Sequence, residues 1–146
     1  MIIAFDPGGT TGVCELDPLN YEKIRSFNII SDYYIQLFVW DTLNIVKPGT
    51  IIYERFDYRP YQKTADLTPV EVIGVIKLYA QEHLDVTLVP QQQLKGDKGF
   101  WTDDKLKALD LYHSGEHGHS NDAVRQMLYY VTFTLGDRYF VNQLTD

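Results

Sequence analysis

The sequence predicts one α/β domain over residues 1–146: a mixed five-stranded sheet, three strands as an antiparallel meander and the rest parallel, with helices on both faces. Three observations point there. Residues 1–6, 12–17 and 22–30 are apolar or alternating runs separated only by turn residues, the pattern of a meander. Residues 50–53 and 85–89 are short apolar runs, each preceded by a segment with helical spacing, which is how parallel strands are joined. The chain has 146 residues and is 45% hydrophobic, enough for a single core.

Residues 1–6 read as a buried strand, residues 12–17 alternate up to the turn Asp17-Pro18, and residues 22–30 complete the meander. Ser31 is positioned to cap a helix with Ile35, Phe38, Val39, Thr42, Leu43 and Val46 on one face, ended by Pro48-Gly49. Residues 50–53 form a strand that ends on Glu54, and residues 55–67 form a long loop. Thr68-Pro69-Val70-Glu71 has the signature of a capping box with proline at the first helical position, and this helix runs to about His83 with most of its circumference apolar. A fifth strand covers residues 85–89 and is stopped by Pro90, and a loop occupies residues 91–101. Thr102 caps a short helix to about Tyr112, Ser114 to Gly118 is a loop, and a last helix spans Ser120 to Leu135 with Val124, Met127, Leu128, Val131 and Leu135 as its core stripe.

Composition narrows the classes. Cys14 is the one cysteine, so an intrachain disulfide and a cysteine-rich zinc site are excluded, and a small buried residue is expected there. No apolar run approaches the ~20 residues of a membrane span and no signal peptide is evident, so a soluble cytoplasmic protein without a membrane partner is expected. The net charge of −7 weighs against a nucleic-acid partner, because phosphate binding favours a basic surface. Carboxylates that hold metal ions relax this objection, since bound cations reverse the local field.

Three acids sit where the burial pattern calls for apolar residues. Asp6 ends the first strand, Glu54 ends the fourth, and Asp122 begins the last helix on or near its inward face. Taken singly, each reads as a solvent-facing strand end or a helix cap. Taken together, two acids at neighbouring strand ends approached by a helix start would place three carboxylates in one small volume. Like charges in that arrangement need compensation, and hard oxygen ligands suit Mg²⁺ or Mn²⁺. Pro7-Gly8-Gly9 lets the chain reverse after Asp6 and leaves room for a polyanion, while Thr10 and Thr11 offer hydroxyl and N–H groups. His119 lies three residues before Asp122, which on a helix puts both on one face, as a ligand or a proton acceptor. His117, in the same stretch, competes for that role.

The segments "IIAFDPGGTTGV", "IIYERF" and "HSNDAVRQMLYY", in that order, resemble the three motif blocks of the RuvC-type Holliday-junction resolvases of the ribonuclease H-like superfamily, above all the small phage-encoded branch. The resemblance spans most of the chain. It implies a ribonuclease H-like fold and a metal-dependent endonuclease that cuts branched DNA such as four-way junctions. Such an enzyme leaves a 5′-phosphate and a 3′-hydroxyl, uses no nucleotide cofactor, and works as a homodimer with two active sites. It implies two Mg²⁺ ions per site, replaceable by Mn²⁺. Carried over by motif, Asp6, Glu54 and Asp122 are metal ligands and catalytic, with Asp6 shared between the ions, and His119 takes the fourth position. An aromatic just after the strand-four acid contacts the junction in that family, and Phe56 and Tyr58 both lie near that place. Basic residues of a later loop contact DNA, for which Lys95, Lys98 and Lys105 are candidates. With Arg55, Arg59 and Lys63 these would make a basic face against an acidic back. A phage-encoded enzyme of this kind acts in the cytoplasm of its bacterial host.

Other readings keep part of this. The same fold and metals would serve a broader structure-selective nuclease on flap or Y-fork DNA or on RNA-containing substrates. "DPGGTTG" also resembles the phosphate loop of actin-like and sugar-kinase ATPases, which need two such domains around their nucleotide. A non-catalytic DNA-binding scaffold is a third alternative, but it has no reason to keep three buried acids. Tyr33, Tyr34, Trp40, Tyr129 and Tyr130 lie in expected helices, as core or as a subunit interface, and Trp101 beside Phe100 is a candidate DNA contact.

Overall fold

A computed structural model describes residues 1–57, 66–94, 99–115 and 118–144. The expected meander forms from β1 (Ile2–Asp6), β2 (Thr10–Asp17) and β3 (Asn20–Ile30), succeeded by α1 (Ile35–Val46), β4 (Thr50–Glu54), α2 (Thr68–Glu82) and β5 (Thr87–Gln91). After these come α3 (Asp103–Ala108), α4 (His119–Tyr129), a π-helical turn (Tyr130–Thr134) and α5 (Tyr139–Gln143). The sheet order is β3-β2-β1-β4-β5, antiparallel within the meander and parallel from β1 to β4 and from β4 to β5.

Strand periodicity sorts the side chains into two layers. Ile3 and Phe5 of β1, with Ile51 and Tyr53 of β4, pack against Ile35, Val39 and Leu43 of α1 and Val72, Ile73, Ile76 and Tyr79 of α2. Ile2 and Ala4 of β1, with Ile52 of β4, pack on the other face against Ala123, Val124, Met127 and Leu128 of α4. The same alternation assigns Asp6 and Glu54 to the α4 side. The reach of the strands thus decides which helix the two acids meet.

Several local expectations are corrected. Pro90 does not stop β5, which continues to Gln91; β5 is an edge strand, where a residue without an N–H is tolerated. Thr68 is the first helical residue of α2 rather than its cap. Asp66 serves that end instead, its Oδ1 accepting from the Thr68 N–H at 3.0 Å and hydroxyl at 2.7 Å. Glu71 does not close a capping box; it accepts from Gln36 Nε2 at 2.5 Å and ties α2 to α1. Ser31 accepts from the Tyr34 N–H at 3.0 Å in the turn before α1 rather than capping the helix itself. Phe38 lies outside the buried stripe of α1, which is set by Ile35, Val39 and Leu43 at strict i, i+4 spacing. α2 buries one face and leaves Val70 and Leu78 exposed. Leu135 is exposed because the π-helical turn adds a residue to the last helix and rotates the succeeding residues off the core stripe. Cys14 is buried as expected, and burial pushes its thiol well above the ordinary range, so it is inert.

Candidate metal and nuclease site

The site lies where the carboxyl ends of β1 and β4 meet the start of α4. Asp6 is 1% exposed and Glu54 4% exposed at their strand ends. His119 opens α4 and Asp122 sits in its first turn, where a carboxylate also favours the positive end of the helix dipole. His119 Nδ1 is 2.9 Å from Asp6 Oδ2. One donor atom each from Asp6, His119 and Asp122 falls within a group no wider than 4.8 Å. Two carboxylate oxygens and an imidazole nitrogen are a donor set suited to Mn²⁺ or Mg²⁺. Glu54 stands on the neighbouring strand, on the same face, but outside this 4.8 Å group.

Local packing explains how α4 comes so close. Asp6 pairs with Gly12 across β1 and β2, and a Cβ at Gly12 would lie 1.9 Å from the His119 carbonyl oxygen and 2.7 Å from the Ser120 nitrogen. Only a residue without a side chain admits the first turn of α4 at that place. The hairpin after Asp6 is pinned by buried Thr11, whose hydroxyl donates to the Gly8 carbonyl at 2.8 Å and accepts from the Gly8 N–H at 3.3 Å. Asn121 fixes the approach to α4 by bonding both the N–H and the carbonyl of His113, each at 2.8 Å.

The other described histidines have structural partners. His83 stacks on Tyr79 and contacts its carbonyl, and His113 meets the Ser26 hydroxyl at 2.9 Å. His117 lies outside the described residues, as do Tyr58, Arg59, Lys63, Lys95 and Lys98. Among the remaining DNA-contact candidates, Arg55 is exposed next to Glu54, its N–H donating to the Gln91 carbonyl at 2.7 Å. Phe56 is half-buried against the α1–α2 layer. Lys105 places its ammonium 3.4 Å from the Phe100 ring centroid and donates to the Phe100 carbonyl. Trp101 is not a surface contact: it is 4% exposed and belongs to the α4 core, while its neighbour Phe100 is the exposed aromatic.

Sequence reasoning misses three residues of the site. Gly12 reads in the sequence only as the first residue of the second strand. Gln91 ends β5 in register with Glu54 and bonds the Gln126 side chain at 2.6 Å and backbone carbonyl at 2.9 Å, bracing α4 over the strand ends. Arg125 is buried and reaches Asp122 Oδ1 at 2.7 Å. An arginine inside the apolar stripe of the last helix, three residues after an acid, is the signal that points to it.

No family model matches the sequence, and no curated protein matches it. Solved structures do match in fold. Thermus thermophilus RuvC in complex with a Holliday-junction substrate superposes with a TM-score of 0.60 at 13% identity, over 92% of this chain and 95% of that one. The Fowlpox virus resolvase in complex with Holliday-junction DNA superposes with a TM-score of 0.62 at 12% identity, over 91% and 100%. The sheet order, the helices on both faces and these superpositions show that the chain has the same fold as these two resolvases.

Proposed function

We propose that the protein is a metal-dependent endonuclease that hydrolyses phosphodiesters in branched DNA, with four-way junctions as its principal substrate. The observation that carries this reading is the convergence of Asp6, His119 and Asp122 within 4.8 Å, in a fold two of whose solved neighbours were captured on Holliday junctions. Asp6 would be shared by two Mg²⁺ or Mn²⁺ ions, Glu54 and Asp122 would each hold mainly one, and His119 would serve the second. Such ions supply a Lewis acid at the phosphoryl oxygen and a more acidic attacking water. The chain's own part is to orient. Asp6 holds the imidazole through Nδ1, and with the proton on Nδ1 the other ring nitrogen, Nε2, is the one that would ligate or take a proton. Gly12 keeps α4 close enough for that contact.

Arg55, Phe56, Tyr58, Arg59, Lys63, Lys95, Lys98 and Lys105 are proposed to face the DNA, contacting phosphates and shape rather than base edges. A homodimer fits two cuts per junction, and the outward face of α1, with Leu37, Phe38 and Ile45 exposed beside the preceding Tyr34, is the surface proposed for the second copy. No helix among the described residues is long and apolar enough to cross a membrane, and the proposed place of action is the cytoplasm.

The test is cleavage of a labelled four-way junction beside a linear duplex, a Y-fork and an RNA–DNA hybrid, with Mg²⁺ or Mn²⁺. Paired symmetric nicks confined to the junction are expected. Equal cutting of forks or hybrid would keep the chemistry and replace the substrate. No cutting of any substrate would leave a DNA-binding scaffold.

A further inference from the structure

Arg125 is 3% exposed in the first turns of α4, amid residues that build the apolar core. A buried guanidinium persists only when its charge and donors are matched. Here three nitrogens are spent on three separate acceptors. Nε donates to the Trp101 carbonyl at 2.9 Å, one terminal nitrogen donates to Asp122 Oδ1 at 2.7 Å, and the other pairs with Asp103 Oδ1. The Trp101 carbonyl is a fixed anchor because the Trp101 ring is itself part of the core. The guanidinium is planar and rigid, so it cannot turn toward one acceptor without releasing another.

We propose that Arg125 is a positioning residue for Asp122, and that Asp103 is the counter-charge that limits how much of that carboxylate Arg125 holds. The proposal rests on the reading of Asp6, His119 and Asp122 as metal donors. Arg125 grips Asp122 at Oδ1, a charge-assisted contact of the kind that orients a ligating carboxylate. With Asp103 in place, one positive charge is divided between two carboxylates, and Asp122 retains much of its attraction for a cation. Without the Asp103 charge, more of the guanidinium's attraction falls on Asp122, and the guanidinium competes more strongly with the ion. Asp103 begins α3 and its side chain is 40% exposed, so it can be neutralised without opening the core.

The experiment is a Mn²⁺ titration monitored by the electron paramagnetic resonance of the free ion. It compares the parent, Asp103→Asn, Arg125→Lys and Asp6→Asn, with thermal unfolding of each metal-free protein alongside. Asp103→Asn and Arg125→Lys should each weaken Mn²⁺ binding about tenfold or more, the loss typical when a partner behind a ligand is removed. Lysine keeps the charge but cannot reach three acceptors, so its failure separates positioning from charge alone. Should Arg125→Lys fail to fold, Asp103→Asn decides the matter. Unchanged or tighter Mn²⁺ binding in a folded Asp103→Asn protein, with or without a lower melting temperature, would reduce the pair to a structural ion bridge and overturn the proposal. A parent that binds no Mn²⁺, or an Asp6→Asn protein that binds it like the parent, would remove the metal reading itself and this proposal with it.

Discussion

Replacing Gly12 by alanine asks how closely α4 is held to the sheet. The added Cβ would stand 1.9 Å from the His119 carbonyl oxygen and 2.2 Å from its carbon, against 3.4–4 Å for ordinary contact. The obstructing atoms are backbone, so no side-chain rotation relieves the clash. The first turn of α4 must retreat by roughly 1.5 Å, or β2 must bend, and overpacking of this kind costs about 1–3 kcal/mol. For a domain of this size that is a fall of roughly 3–10 °C in melting temperature. The functional loss should exceed the stability loss. His119 holds Asp6 at 2.9 Å, and a displacement of about 1 Å in a catalytic constellation is worth about 100-fold in rate. Unfolding by circular dichroism, Mn²⁺ titration and junction cleavage read the three consequences. Gly9→Ala is the control, because a Cβ there meets nothing within 4 Å and its stability should stay within about 0.5 kcal/mol of the parent. A Gly12→Ala protein with the parent's melting temperature and the parent's Mn²⁺ affinity would refute the claimed approach of α4 to β2.

Other contacts carry their own expected outcomes. Asp66 accepts two hydrogen bonds from Thr68, which hold its carboxyl below the ordinary range. Asp66→Ala should cost about 0.5–1 kcal/mol, discounted for an exposed site, and be read by urea unfolding. Because the folded-state carboxyl is the stronger acid, its contribution is full above the unfolded value of 3.8 and is lost as pH falls through the folded one, so the variant and parent should converge in acid. Glu15 is buried and paired with Arg25, which lies mostly exposed. Arg25→Ala should therefore destabilise by about 1 kcal/mol, and adding Glu15→Gln should recover part of it, since the cost is an uncompensated buried charge. Met127→Ala, in the α4 core, should cost about 2–5 kcal/mol by denaturant unfolding without selective loss of Mn²⁺ affinity.

The two layers of the domain are legible in the sequence because strand alternation and helix spacing depend on near neighbours in the chain. The same alternation places Ile2, Ala4 and Asp6 on one face, so the acid at the strand end can be anticipated before any contact is known. The features that escape sequence reading are set by partners far away in the chain. Phe38 looks as apolar as Val39, and only the position of the sheet decides which of them is covered. Leu135 keeps helical spacing on paper, but the π-helical turn breaks its phase. Trp101 looks like a loop-surface residue because a lysine and polar residues flank it, yet its ring packs into the core that α4 completes. Gly12 looks like the ordinary first residue of a strand, while its real constraint is a contact with His119 across 107 positions of sequence. Arg125 is hard to weigh in the last helix because the apolar stripe dominates the pattern there, and the charge inside it gains meaning from distant Asp103 as well as nearby Asp122.

The most direct test of the central claim is cleavage of the labelled four-way junction by the parent and by Asp6→Asn, with Mg²⁺ or Mn²⁺, beside junction binding measured by gel shift without a catalytic metal. The account predicts that the parent cuts and that Asp6→Asn binds the junction with the parent's affinity but does not cut it. The substitution removes charge at the metal site and leaves the proposed phosphate contacts in place. An Asp6→Asn protein that cuts the junction like the parent would contradict the account.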